Sequence, residues 1–164
     1  MKLFNENNVW QLLRLYLSFT LLWAFFDKLL GLGFATAADK SWLSGTSPTS
    51  GFLKFGVEGG TFASTFSSLA GNQIVDCLFM GGLLLIGLAL ALGIGMKIAT
   101  YSGALLMFLI YLSLFPPENN PILDEHIVYI IVLLGLSVRM KTQNFGFGKK
   151  WQSLPLVKKY PILQ

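Results

Sequence analysis

Cysteine is almost missing from this chain. Cys77 is the only one, so no intramolecular disulfide can form. No Cys-x-x-Cys pair and no Cys–His cluster exists, which argues against a dithiol relay and a structural zinc site. Histidine is equally scarce: His126 stands alone. A bis-histidine haem is therefore excluded. His/Met ligation is left open, but no c-type attachment motif is present and no haem is expected. There is no Walker loop and no GxGxxG, and nucleotide binding is not indicated. Charge is short as well. Charged residues make up 12% of the chain, where a soluble domain carries about a quarter.

What fills the gap is apolar. Hydrophobic residues are 54% of 164 positions, and they fall in long runs. Length makes one domain the default, and the runs make it an integral membrane domain. A bilayer core needs about 20 mostly apolar residues as helix. Four segments meet that need: Trp10 to Phe26, about Asp76 to Gly95, about Ile98 to Phe115, and about Ile122 to Val138. The second and third are joined only around Met96 and Lys97, so they are expected to be antiparallel neighbours. Pro116 and Pro117 stop the third. Asn120 reads as an N-cap with Pro121 at the first helical position of the fourth. The expected architecture is an all-α, four-helix membrane bundle, residues 1–138, followed by a basic tail, 139–164.

The charges are placed unevenly. The N-terminal end, the Lys97 turn and the tail hold Lys2, Arg14, Lys97, Arg139, Lys141, Lys149, Lys150, Lys158 and Lys159, nine of the 12 Lys and Arg. Lys28, Lys40 and Lys54 lie on the other side. Glu6 is the only acid on the basic side. The positive-inside rule then predicts a multi-pass protein of the cell membrane with both termini cytoplasmic. The net charge of +4 fits a membrane surface better than a nucleic acid. The tail, with Phe145, Phe147, Trp151 and Tyr160, suits an anionic leaflet and is too short to form an RNA-binding fold. Ala35-Thr36-Ala37 has the form of a signal-peptidase site, but Asp27, Lys28 and a glycine-rich turn separate it from the apolar run, so the first span is read as retained.

Residues 31–73 form a long outer loop, and long ordered loops tend to be functional. Ser47 before Pro48, with Gly56 as a stop, marks one short helix. Phe62, Phe66 and Leu69 mark a second, amphipathic one. The pair reads as a surface cap or as a lid over a site. Gly87, Ala91 and Gly95, continued by Ala99 and Gly103, form small-residue stripes that suit helix packing within the chain or in a homo-oligomer.

Several polar residues stand at the span ends. Arg14 lies one turn inside the first span, either snorkelling to the surface or facing the bundle to hold an anionic or quinone-like headgroup. Asp27 and Lys28 close that span, as an interfacial anchor or a proton-handling acid with a neighbouring cation. Asp76, Asp124 and Glu125 open helices, where the macrodipole makes carboxylates inexpensive. His126 is not covered by that argument. The dipole disfavours its protonated form unless the adjacent acids offset it, and a neutral imidazole can both donate and accept. Glu125 and Tyr129 share a face at i, i+4. If that turn faces the bundle, Glu125, His126 and Tyr129 converge on an outer pocket, with Asp27 and Asp76 at similar depth. A metal is not expected, because three consecutive residues on a helix, Asp124, Glu125 and His126, point in different directions. A small organic electron or proton carrier remains.

At these residues the chain resembles the DoxX family, including proteins of the DoxD-like type, subunits of thiosulfate:quinone oxidoreductase. The matching stretches are "LLRLYLSFTLLWAFFDKLLGLGFAT", "SGTSPTSGFLKFG", "LAGNQIVDCLFMGGLLLIGLAL" and "PPENNPILDEHIVYIIVLL", from about Leu12 to Val138. The resemblance implies a four-helix membrane bundle and membrane redox work, in some relatives with quinone as acceptor and thiosulfate as donor. Arg14, Asp27, Lys28, Asp124, Glu125 and His126 are the shared positions. Two functions are compatible. In one, a quinone-linked oxidoreductase subunit uses His126 to exchange a proton with a carbonyl oxygen, Glu125 or Asp124 tunes it, and a partner redox subunit or a direct substrate supplies electrons. In the other, the chain is a non-enzymatic membrane scaffold or small-solute carrier.

Overall fold

The computed structural model describes residues 5–139 and 145–164. Lys2 and Lys141, counted above among the basic-side charges, lie outside them. No strand occurs among the described residues. Among the described residues seven α-helices follow one another: α1 Glu6–Leu30, α2 Ala63–Ser67, α3 Gln73–Leu92, α4 Met96–Ser113, α5 Glu125–Val138, α6 Gly148–Ser153 and α7 Pro155–Lys159. Of these, α1, α3 and α4 are long and apolar enough to cross a membrane. α5 is apolar but has only 14 residues, about 21 Å of helix at 1.5 Å per residue.

The fourth segment thus starts later than its sequence signals suggest. Asp124, not Asn120, is the N-cap, with Oδ1 accepting from the His126 and Ile127 amides. Asn120 does cap, but it caps a turn: its Oδ1 accepts from the Ile122 and Leu123 amides, each at 2.9 Å. The Tyr111 hydroxyl donates to the Ile122 carbonyl at 2.6 Å. That carbonyl is held by a neighbouring helix, and Pro121 begins no helix.

The helices pack in the order α1, α3, α4, α5, with α1 and α5 closing the circuit through a lighter contact. Leu17, Leu21, Met80, Leu83, Ile86, Leu90, Met107, Leu133 and Leu136 fill the interior. The outward faces are just as apolar. Phe19 is 64% exposed, Leu85 68% and Ile131 64%. Side chains of this kind turned away from the core suit a lipid surround, which imposes no cost on exposed hydrocarbon.

Glycine sets the close approaches. A Cβ at Gly87 would lie 2.8 Å from Leu22 Cγ, and one at Gly103 would lie 3.2 Å from Leu133 Cδ1. Ser18 Oγ uses the first approach to donate to the Gly87 carbonyl at 2.8 Å, joining α1 to α3. The small-residue positions Gly87 and Gly103 therefore serve contacts inside the chain. Gly95 does not extend the stripe. It precedes α4 in the left-handed region, φ +54°, and with Gly93 at φ +71° makes the α3–α4 turn. The hairpin turns at 93–95, two residues before the expected place.

The loop 31–62 is tied down at several points. It holds 3-10 turns at Ala38–Lys40 and Trp42–Ser44 and a π-helical turn at Phe52–Gly56, the last close to the expected first short helix. The expected second one is α2. The Thr61 amide donates to the Phe115 carbonyl at 2.7 Å, so the loop is bound to the end of α4. Beyond the bundle, the tail folds back on the α3–α4 turn. Phe147 N donates to the Leu92 carbonyl at 2.8 Å and Lys97 N to the Gln164 carbonyl at 2.7 Å.

Candidate functional site

The polar residues at the helix ends beside the loop 31–62 divide into two groups. One group holds the loop. Asp27 is 2% exposed. Its oxygens accept from the Phe34 amide at 3.2 Å and the Ala35 amide at 3.0 Å, so the carboxylate folds the chain back after α1. Asp76 is 4% exposed. Its Oδ1 accepts from Ser47 Oγ at 2.9 Å and Thr49 Oγ1 at 2.5 Å. It fastens the middle of the loop to the start of α3. Lys28 is half-buried beside Asp27. Among the described residues, no hydrogen bond or ion pair links any of the three to the α5 N-terminus.

The second group is at that N-terminus. Asp124 has extended backbone, φ −137° and ψ −177°. It therefore stands outside the helix and turns back over the first turn. Its Oδ2 lies 2.7 Å from His126 Nδ1. Both side chains are largely sheltered, the histidine 15% exposed and the aspartate 11%. One carboxylate thus fixes two backbone amides and an imidazole at once. The contact at Nδ1 sets the ring orientation and leaves Nε2 as the nitrogen able to take or give a proton. The Tyr129 ring meets the imidazole edge-on, with centroids 6.4 Å apart.

The same geometry changes the argument about metals. Asp124, Glu125 and His126 each offer a ligand atom, and these atoms lie within 4.8 Å of one another. Divergence of three consecutive helical residues does not apply, because Asp124 is not in the helix. The three could gather around one cation.

Two spaces adjoin the group. Tyr129 borders a small apolar cavity of about 30 Å³ on the α1–α5 seam, lined also by Leu17, Thr20, Leu21, Met107 and Leu133. The other is a cleft of about 600 Å³ between residues 56–60 and 114–125. Four carboxylates line it: Glu58, Glu118, Asp124 and Glu125. These are half of the eight Asp and Glu in the chain. Glu58 and Glu118 were not among the expected site residues. Glu118 stands in the Pro-Pro-Glu-Asn-Asn stretch beside the singled-out acids, a signal that could have found it. Glu58 has no such neighbour, and only the fold brings it there.

Arg14 belongs elsewhere. It is fully buried, so it does not snorkel. It packs beside Gly93 at the α3–α4 turn, where a Cβ would overlap its guanidinium. Nη2 donates to the Phe145 carbonyl at 2.8 Å, while among the described residues Nε and Nη1 have no hydrogen-bond partner. The end of α3 carries the negative pole of its macrodipole, which suits a cation there. The arginine is thus at the opposite end of the bundle from His126, and the two cannot share one ligand site.

No protein-family model matches the chain, and no curated protein or solved structure is significantly similar to it.

Proposed function

We propose that the chain is a membrane redox protein of the DoxX type that binds a quinone or similar carrier as part of an oxidoreductase, with His126 as the proton-exchanging group. The observation that carries this reading is the 2.7 Å contact between His126 Nδ1 and Asp124 Oδ2; Asp124, though not His126, lines the cleft of about 600 Å³. Interconversion of a quinone and its reduced form moves protons as well as electrons. An imidazole held at one nitrogen by a carboxylate is suited to deliver or accept them at the other.

The lining constrains the ligand. Ionised carboxylates accept hydrogen bonds and donate none. Asp124, Glu125, Glu118 and Glu58 can therefore receive the hydroxyl protons of a reduced carrier and offer nothing to the carbonyls of an oxidised one. The Asn119 and Asn120 amides are the side-chain donors among the lining residues. The cleft has the size for the carrier, and its chemistry favours the reduced form. The apolar cavity at Tyr129, about 30 Å³, is too small for a whole ring.

The test uses the full chain in lipid nanodiscs. His126→Ala and Glu125→Gln should each lower quinone-linked turnover by one to two orders of magnitude, with helix content unchanged. General acid–base catalysis is worth about 10²–10⁴-fold. A binding titration should show the reduced carrier held more tightly than the oxidised one. Unchanged turnover in both variants would sink the mechanism and leave the scaffold reading. Binding of manganese or zinc ions that displaces no carrier would identify the three residues as a cation site instead.

A further inference from the structure

The tail carries a surface that the bundle does not use. From Phe145 to Gln164 there are four lysines, Lys149, Lys150, Lys158 and Lys159, and no acid. All four are exposed. The same segment turns Val157 fully inward and half-buries Trp151 and Leu163. It leaves Phe145, Phe147, Leu156 and Ile162 between 56% and 60% exposed. So the short helices α6 and α7 have a packed side and an outer side that is both cationic and apolar.

This outer side is held in place. Arg14 Nη2 donates to the Phe145 carbonyl at 2.8 Å, and Trp151 Nε1 donates to the Leu163 carbonyl at 2.6 Å. Phe147 N and Lys97 N tie the two ends of the tail to the α3–α4 turn. The turn joins two helices that are each long enough to cross a membrane. A segment fastened there is held where such helices leave the hydrocarbon, at headgroup level.

We propose that the outer face of residues 145–164 seats on the anionic headgroups of the membrane in which the bundle lies. The lysines would meet lipid phosphates, and the exposed aromatic and aliphatic side chains would enter the interface. Charge complementarity selects this occupant: a face with four cations and no acid is drawn to a negative surface potential, which reaches about a Debye length, roughly 10 Å. Aromatic residues favour the same zone. Continuity with the spans supplies the position. This inference rests on the membrane-crossing helices and is independent of the chemistry proposed for His126.

The test places a spin label on the tail of the full chain, at Ser153→Cys or, separately, Ile162→Cys, in a Cys77→Ser background. The protein is reconstituted into vesicles of phosphatidylcholine alone or of phosphatidylcholine and phosphatidylglycerol in equal parts. Collision with oxygen reports the membrane, and collision with a soluble nickel chelate reports water. The expected result is a several-fold shift toward oxygen in the anionic vesicles. That shift should be reversed by high salt and by the Lys149→Gln, Lys150→Gln, Lys158→Gln, Lys159→Gln variant. Equal readings in the two vesicle types overturn the proposal, whether the label is wet or immersed in both. So does a label that stays wet until a soluble acidic polypeptide is added, which would make the face a protein-docking surface.

Discussion

Asp27 and Asp76 show how much the role of a carboxylate depends on what returns to meet it. Both stand at helix ends, as Asp124 does. Asp27 is taken up by two loop amides and Asp76 by two hydroxyls; Asp124 alone is left against an imidazole. Asp76→Ala should therefore act on stability and not on chemistry. It removes two charge-assisted hydrogen bonds and leaves Ser47 and Thr49 without their acceptor. A loss of about 2–3 kcal/mol is expected, read as a lower unfolding midpoint in detergent, with carrier affinity per folded molecule unchanged. His126→Ala should do the reverse. A variant of Asp76 that abolished binding while melting normally would move it into the site. The sequence singled out Asp124, Glu125 and His126 but read them as diverging on a helix; the extended backbone of Asp124, which lets it turn back onto His126, is what brings them together. The sequence could not sort Asp27 and Asp76 from them, since their partners lie 7 to 8 and 27 to 29 positions away. Arg14 was ambiguous for the same reason: its contact with Phe145 spans 131 positions.

At the scale of elements, hydropathy located every long helix to within a few residues. Its errors were at the ends, where hydrogen bonds decide. Asn120 and Pro121 carry the marks of a helix start, yet Tyr111 claims the Ile122 carbonyl and the helix waits for Asp124. The small-residue pattern foretold close packing but not its partners. Leu22 fills the space over Gly87, and Leu133 and Ile86 that over Gly103. Gly87→Leu should force α1 from α3 and stretch the Ser18 hydrogen bond. Overpacking of this kind costs about 1–3 kcal/mol. Gly103→Leu should disturb α4 against α5 by a similar amount. Thermal unfolding in detergent would measure both. Gly81, where a Cβ meets nothing within 4 Å, is the control and should tolerate alanine without loss.

For the molecule as a whole, the direction of each helix follows from its contacts. The α3–α4 turn and the tail share one end; the loop before α3 and the cleft share the other. In a Cys77→Ser background, Lys97→Cys and Lys158→Cys in sealed vesicles should react with an impermeant thiol reagent from the same side. Glu58→Cys should react from the opposite side. Labelling of all three from one side would contradict a membrane-crossing arrangement of α1, α3 and α4.

One consequence follows from the length of α5. The ion pair between Arg139 and Glu6 levels the end of α5 with the beginning of α1. From that level α1 runs 25 residues and α5 only 14. The difference of 11 residues sets the Asp124–His126 pair about 16 Å short of the far end of α1. Were the level of Glu6 and Arg139 to mark one face of a hydrocarbon core about 30 Å thick, the pair would lie inside the thickness over which a transmembrane voltage falls. A proton travelling from the far surface to His126 would then move through part of that field. Moving one full charge across 100 mV is worth about 2.3 kcal/mol, and a fraction of it would bear on each protonation. Any reaction that waits on a proton delivered to that pair would then respond to the electrical state of the membrane.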